Sequence, residues 1–401
     1  TSGAGTGGGA AGTGGAAGMM DSGGAGGMVA AGTGGMAAGG AGGMGAAGGG
    51  GAAGMEALDY PEPRGGCPEL DSGFVGDDAC IAPPAADEGF QIHIGPEDYA
   101  NPGPYEVAIN EENSLCVSFR LPNTENKFYQ GSIVSGRPGT HHIINTMYVA
   151  GTTINENTFE ACLDPGTGTN PSILANLPGA SKPFMPRKKM APENEGLGSE
   201  IPAMAPAQAD MHYYNFTEAP LLREVWMNFY YIDAAKVTET ARQIRGMGGL
   251  GWAITPGTDH VYQYTCPIPS AGRIVGLLGH YHAHGKRFSA YLEKADGSQK
   301  KVFEMYDYNE PAEFMYDSAA MNPAFAANKA GAVSGTLEVA AGDILQWECH
   351  IINDSDVTLD YSNKVKNGEM CNLWGTTVLS GTDKMDCVHF LLEAPFVVQG
   401  N

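Results

Sequence analysis

Apolar and β-branched residues recur along this chain in short runs separated by Gly, Pro, Asn and Asp. The clearest run from Tyr105 to Ile109, Ser114 to Phe119, Ile143 to Val149, Glu224 to Tyr231, Arg273 to Leu278, Phe288 to Leu292, Ile344 to Ile351, Thr377 to Leu379 and His389 to Leu392. Runs of this kind, bounded by turn residues, predict strands. No segment sustains a 3.6-residue apolar period over three turns, so the pattern predicts no long helix. The expected fold is all-β, with two consecutive antiparallel β-sandwich domains of jelly-roll type. The glycine-rich stretch Arg245 to Gly251 is the expected boundary. It gives an N-terminal domain over 96–245 and a C-terminal domain over 250–401. The Pro-, Gly- and Asn-rich segment from Asp164 to Ala209 is expected to be a long surface excursion.

Ahead of these domains the alternation disappears. The first 54 residues hold 26 of the 59 glycines, and Asp21 is their only charge. Such a sequence cannot bury enough apolar area to offset its ordering entropy, so 1–58 is expected to be a flexible tether spanning on the order of 40 Å. Residues 59–95, with Cys67 and Cys80, are expected to form a small disulfide-closed lead-in. The chain begins with Thr1, and the expectation is a processed N-terminus, with the tether suited to an envelope-anchored protein.

Charge and cysteine usage narrow the function classes. A net charge of -23 repels phosphate, which disfavours sequence-independent nucleic-acid binding and anionic membranes as partners. No apolar run reaches transmembrane length. The eight cysteines contain no CxxC pair, which points to disulfides and to a secreted, periplasmic or cell-surface location. HExxH, GxSxG and Walker A patterns are absent, so zinc hydrolysis, acyl transfer and phosphoryl transfer lack their usual machinery.

The candidate chemistry lies in the histidines. His141 and His142 are adjacent, His212 stands in Asp210-Met211-His212-Tyr213-Tyr214, and His280, His282 and His284 alternate in Gly279 to Lys286. Neutral imidazole is the commonest metal ligand. On a strand, residues two apart share a face, so His280 and His282 can bind one metal. Neighbours such as His141 and His142 can do so only at a bend. His284 would share the face of His280 and His282. His93, His260, His350 and His389 have no partner pattern. A lone Met370 would ordinarily be core filler, but it stands in Asn367-Gly368-Glu369-Met370-Cys371-Asn372-Leu373-Trp374.

Taken in order, His141-His142, Met211-His212-Tyr213, His280-x-His282 with Gly285-Lys286, and Glu369-Met370-Cys371-Asn372 resemble the type II, ascorbate-dependent copper monooxygenases, the peptidylglycine α-hydroxylating and dopamine β-hydroxylating enzymes. The resemblance runs from about residue 100 to the C-terminus. It implies two copper ions. His141, His142 and His212 would hold an electron-transfer copper in the first domain, and His280, His282 and Met370 an oxygen-binding, catalytic copper in the second. A thioether is a soft ligand suited to Cu(I). The register of Gly285-Lys286 favours His280 and His282 over His284. The same resemblance implies disulfides Cys349–Cys371, Cys266–Cys387 and Cys116–Cys162, leaving Cys67 for Cys80.

The implied reaction uses O2 and a one-electron donor such as ascorbate to hydroxylate a C–H bond of a small molecule. Leu278 stands where the peptide-hydroxylating branch has a carboxylate-binding arginine. Asn372 matches a substrate-contacting asparagine, and Trp374 replaces a tyrosine. These three expected substrate contacts suggest a neutral or aromatic substrate. Two other readings compete: an exported copper-binding protein for storage or sensing that keeps the ligands without turnover, and a non-catalytic β module with adventitious metal.

Overall fold

Most of the expected runs become strands that pair over long sequence separations, although Tyr105 to Ile109 is a strand only at Glu106–Val107 and His389 to Leu392 runs past the described residues. The structure is a computed structural model that describes residues 66–148, 151–160, 172–178, 184–185, 195–308, 313–315, 336–362, 364–381 and 385–390. The expected tether at 1–58 lies outside the described residues. All-β is the observed class, with 55% of the described residues in strands and 4% helical.

The expectation of two consecutive sandwiches is corrected. The strands form a five-bladed β-propeller. One six-stranded sheet runs in the order Gly89–Ile94, Val225–Ile232, Lys127–Gly136, Leu197–Ile201, Glu239–Thr240, with Phe184–Met185 beside Lys127–Gly136. A five-stranded sheet runs Phe159–Glu160, Glu112–Arg120, Pro206–Tyr214, Thr140–Met147, Ser172–Pro178. A second six-stranded sheet is built on Gly272–His280, Cys371–Leu379 and Arg242–Leu250. Smaller sheets carry Ile344–Ile352 with Gly285–Glu293, and Leu359–Tyr361 with Gly368–Glu369.

The physical reason for the correction lies in the glycines taken as a linker. Arg242–Leu250 is a strand, antiparallel to Cys371–Leu379 and parallel to Met385–Phe390. Its glycines make room for rings instead of marking a break. A Cβ on Gly246 would lie 2.8 Å from Cη2 of Trp347, and one on Gly248 would lie 2.5 Å from the Tyr264 ring. Residues 56–401 accordingly form a single compact unit.

The expected excursion at 164–209 is corrected in the same way. Among its described residues are Ser172–Pro178, Leu197–Ile201 and the start of Pro206–Tyr214, the central strand of the five-stranded sheet. The lead-in is tied to the body. The Cys67–Cys80 disulfide is formed, Ile81 packs with Ile133 and Trp226, and Asp77 pairs with the buried Arg137 at 2.7 Å. Disulfides Cys266–Cys387 and Cys349–Cys371 are also formed. The Cys116–Cys162 expectation falls on Cys162, outside the described residues.

Three disulfides fit an oxidising environment. Among the described residues no helix is long and apolar enough to cross a membrane.

Candidate metal centre

His142 and His212 face each other across the ladder between Thr140–Met147 and Pro206–Tyr214. The next pair is Thr140 with Tyr213, so His141 is the extra, unpaired residue of a β-bulge. A bulge breaks the strict alternation of side chains. It turns His141 towards the face of its neighbour, with ring centroids 5.2 Å from His142 and 4.9 Å from His212. The turn before it is fixed. Arg137 binds Glu224 through Nε at 2.5 Å, Thr140 donates to the Arg137 carbonyl at 2.6 Å, and Gly139 takes a φ of 91°.

Strand Gly272–His280 ends at the first histidine of His-x-His. His282 is therefore in the following turn, which the Gly285 N–H closes onto the His282 carbonyl at 3.0 Å. The turn, and not strand alternation, brings the rings together, with their Nε2 atoms 3.3 Å apart. His284 is turned away. Its Nε2 lies 2.9 Å from the Lys366 carbonyl and its Nδ1 3.4 Å from Asp354.

The two histidine sets, expected in separate domains, meet. His141 lies 5.5 Å from His280 and 5.1 Å from His282, and His142 lies 5.4 Å from His280, centroid to centroid. Two ligand triads result, His141-His142-His212 and His141-His280-His282, each with its donor atoms within 4.8 Å of one another. His141 belongs to both.

All five histidine residues are at most 3% exposed. Both ring nitrogens of His141 and of His142, and Nδ1 of His212, make no hydrogen bond. Burial, reinforced by the neighbouring imidazoles, holds His141 and His280 well below the ordinary histidine range and takes His282 down to about 3. Burial also lowers His212, against the pull of Glu112. Burial thus favours the neutral form of these four rings. Buried polar atoms without partners are costly, and a metal ion is the partner that a cluster of neutral imidazoles fits.

Carboxylates stand behind the ligands. Glu112 lies 3.3 Å from His212 Nε2, and Asp210 accepts a hydrogen bond from Ser114 while lying 4.0 Å from His142 Nε2. Burial pushes both carboxyls up, but their histidine partners more than offset it and both stay ionised. Glu369 is fully buried and accepts the backbone N–H of His282, of Met370 at 2.9 Å and of His284 at 3.1 Å. Burial raises its carboxyl to about 7. This one side chain pins the histidine turn to the segment carrying Met370.

Met370 sits between Gly368–Glu369 and Cys371–Leu379, strands of two different sheets, and the Cys349–Cys371 disulfide anchors the adjacent residue. Asn372 Nδ2 lies 3.5 Å from its sulfur. Met370 borders a cavity of about 200 Å³ that is also lined by His142, His280, Asp210, Met247, Tyr361, Asn372 and Trp374. The Trp374 ring lies 5.3 Å from His280. Of the three expected substrate contacts, Asn372 and Trp374 line this cavity. Leu278 pairs with Trp374 in the ladder and is buried, but it is not part of the lining.

Sequence reasoning missed Glu112 and Tyr361, and it quoted Asp210 and Glu369 within motifs without giving them a role. Asp210 had a signal, because it lies two residues before His212 on a strand and so on the same face. The remaining histidines have other partners: His93 with Glu224 at 2.7 Å, His350 with Asp259 at 2.7 Å, His389 with the Thr265 carbonyl at 2.7 Å, and His260 edge-on to Tyr262. No family model matches this chain, and no curated protein matches it.

Proposed function

We propose that this chain is a copper-dependent monooxygenase of the kind its motifs resemble, acting on a small molecule in an oxidising compartment outside the cytoplasm. The observation that carries the reading is the cluster of five buried imidazoles, several of their nitrogens without a partner, of which His142 and His280 line a cavity that Met370 also borders. His141, His142 and His212 would hold one copper ion, and His280, His282 and Met370 the other. Imidazole suits copper in either oxidation state, and the thioether favours Cu(I) over zinc. Copper bound there supplies one-electron redox chemistry and O2 activation, drawing electrons from ascorbate or a similar donor.

The chain's own residues supply the setting. Burial favours the neutral, metal-binding form of His141, His212, His280 and His282. Glu112 and Asp210 orient His212 and His142 in the manner of carboxylates behind metal-bound histidine. Glu369 fixes the turn that carries His282. The cavity places a small substrate against His280 and Met370, and Met247 and Trp374 give it apolar walls that exclude water. Asn372, bonded to Tyr361, offers the polar contact for orientation.

The test is copper per chain and ascorbate-driven O2 uptake, in the wild type and in Met370→Ala, over a panel of small neutral and aromatic substrates. Two coppers with substrate-stimulated uptake that collapses in the variant is the expected result. Two coppers with no turnover on any substrate would favour an exported copper-binding protein for storage or sensing. No stoichiometric copper would overturn both readings.

A further inference from the structure

We infer that the second half of the chain repeats the framework of the His212 centre, and that Lys286 and Arg287 close a metal position there by standing where His141 and His142 stand in the first half. The inference rests on the metal reading of His141, His142 and His212. It goes beyond that reading to residues that set how many ions the chain takes.

The repeat lies in the backbone. The neighbouring strands Glu112–Arg120, Pro206–Tyr214, Thr140–Met147 and Ser172–Pro178 recur, in the same order, as Asp259–Pro267, Ile344–Ile352, Gly285–Glu293 and Gln299–Met305. Just after Pro206–Tyr214, the Asn215 amide donates to the Val107 and Ala219 carbonyls at 2.9 and 2.8 Å. Just after Ile344–Ile352, the Asn353 amide donates to the Ile254 and Val357 carbonyls at 2.8 and 2.9 Å. Each accepts from a hydroxyl two residues on, that of Thr217 at 2.7 Å and of Ser355 at 2.6 Å. The bulge recurs too. Thr140 pairs with Tyr213 and His142 with His212, leaving His141 over; Gly285 pairs with Ile351 and Arg287 with His350, leaving Lys286 over.

This register matches the two halves residue by residue. His350 precedes Asn353 by the same three positions that separate His212 from Asn215, and it is the counterpart of the third ligand. Both carboxylates behind the first centre also have counterparts. Asp259 lies 2.7 Å from His350 as Glu112 lies 3.3 Å from His212, and Glu348 lies 3.0 Å from Arg287 as Asp210 lies 4.0 Å from His142. Only the two ligands at the bulge differ in kind. An ammonium and a guanidinium offer a metal no lone pair, and their charge repels a cation.

The first half is closed in the reciprocal way. The Thr140 N–H bonds the Arg137 carbonyl at 3.3 Å as the Gly285 N–H bonds the His282 carbonyl at 3.0 Å, so Arg137 stands in the place of His282. Along the same ladder Ser135, opposite Trp226, stands in the place of His280, opposite Asn372, which puts Glu224 in the place of Met370. There a buried guanidinium–carboxylate pair, Arg137 Nε to Glu224 at 2.5 Å, replaces a set of metal ligands. Each half keeps one of two positions and fills the other with a fixed cation.

The experiment is copper per chain, by metal analysis of the full-length protein freed of unbound Cu(II). It compares the wild type, the double variant Lys286→His/Arg287→His, and that double variant carrying His350→Ala. The double variant should hold one more ion than the wild type, and His350→Ala should remove it. Asp259→Asn in the double variant should weaken the added ion by about 10- to 100-fold, the usual effect of losing a carboxylate behind a metal-bound histidine. Lys286 is exposed and Arg287 partly so, and urea midpoints check that each variant folds. If the double variant does not, Arg287→His alone is read in the same way, its new imidazole and His350 holding an added ion that His350→Ala removes. No added ion in a folded variant, or one that survives His350→Ala, would overturn the closed position and leave the monooxygenase reading intact. A wild type without copper would overturn both.

Discussion

Glu112 and Val365, 253 positions apart, are joined by a hydrogen bond of 2.5 Å from the Val365 N–H to the carboxylate that also faces His212. One side chain thus orients a ligand of the first triad and holds the segment that leads to Met370. Glu112→Gln keeps an acceptor but loses the charge. It is expected to weaken copper binding at the His212 position by about 10- to 100-fold, the usual effect of removing a carboxylate behind a metal-bound histidine. Competition titration with a copper chelator measures this, and unchanged affinity would show that Glu112 has no part in the site.

The Cys349–Cys371 bridge lies beside Met370 and closes a short loop. Replacing both cysteines with serine should cost about 2–5 kcal/mol of stability, read from urea unfolding. Beyond that loss, copper at the Met370 position should become more labile than copper at the His212 position in the folded variant. Equal lability at both would mean that the bridge serves stability alone.

Gly246 tests the fold. In a linker, Gly246→Val would be tolerated. In a strand facing Trp347, the added side chain meets the indole ring, and overpacking of this kind costs about 1–3 kcal/mol. Urea midpoints of wild type and variant decide between the two.

Stability of the metal-free protein should fall as pH drops from 6.5 towards 4.5. His141, His212, His280 and His282 have folded pKa values below their unfolded ones, so over this window the unfolded chain binds the extra protons and acid favours unfolding. Glu369 acts the other way, because its carboxyl is raised to about 7 and the folded state holds that proton. Four depressed groups against one raised group leave the histidines dominant, each unmatched proton tilting the balance by about 1.4 kcal/mol per pH unit. Urea unfolding at several pH values measures the slope. A flat or inverted dependence would mean that the imidazoles are not held neutral.

Local pattern marked the histidines and Met370 of the candidate centre because His-His, His-x-His and Met-Cys-Asn are contiguous, and it marked those strands whose apolar runs are short and bounded. It could not reveal that His141 and His280 are neighbours, since nothing in either segment encodes a contact across that separation. The strand Arg242–Leu250 was hidden because glycine has low strand propensity. It is selected there by the bulk of Trp347 and Tyr264, residues far along the chain. Glu112 was hidden for another reason: it is one of 45 acidic residues, and only its place beside His212 distinguishes it. Glu369 stood in a quoted motif, but its burial under the histidine turn gave no local signal.

The unpaired residue at His141 makes the centre depend on chain length as well as on side-chain identity. Deleting one residue between Gly139 and His142 would restore regular pairing and send adjacent imidazoles to opposite faces of the sheet, dismantling both triads while leaving every other histidine in place. Insertions and deletions in this hairpin are therefore far more damaging than most substitutions, and its residue count is as much a part of the centre as its histidines.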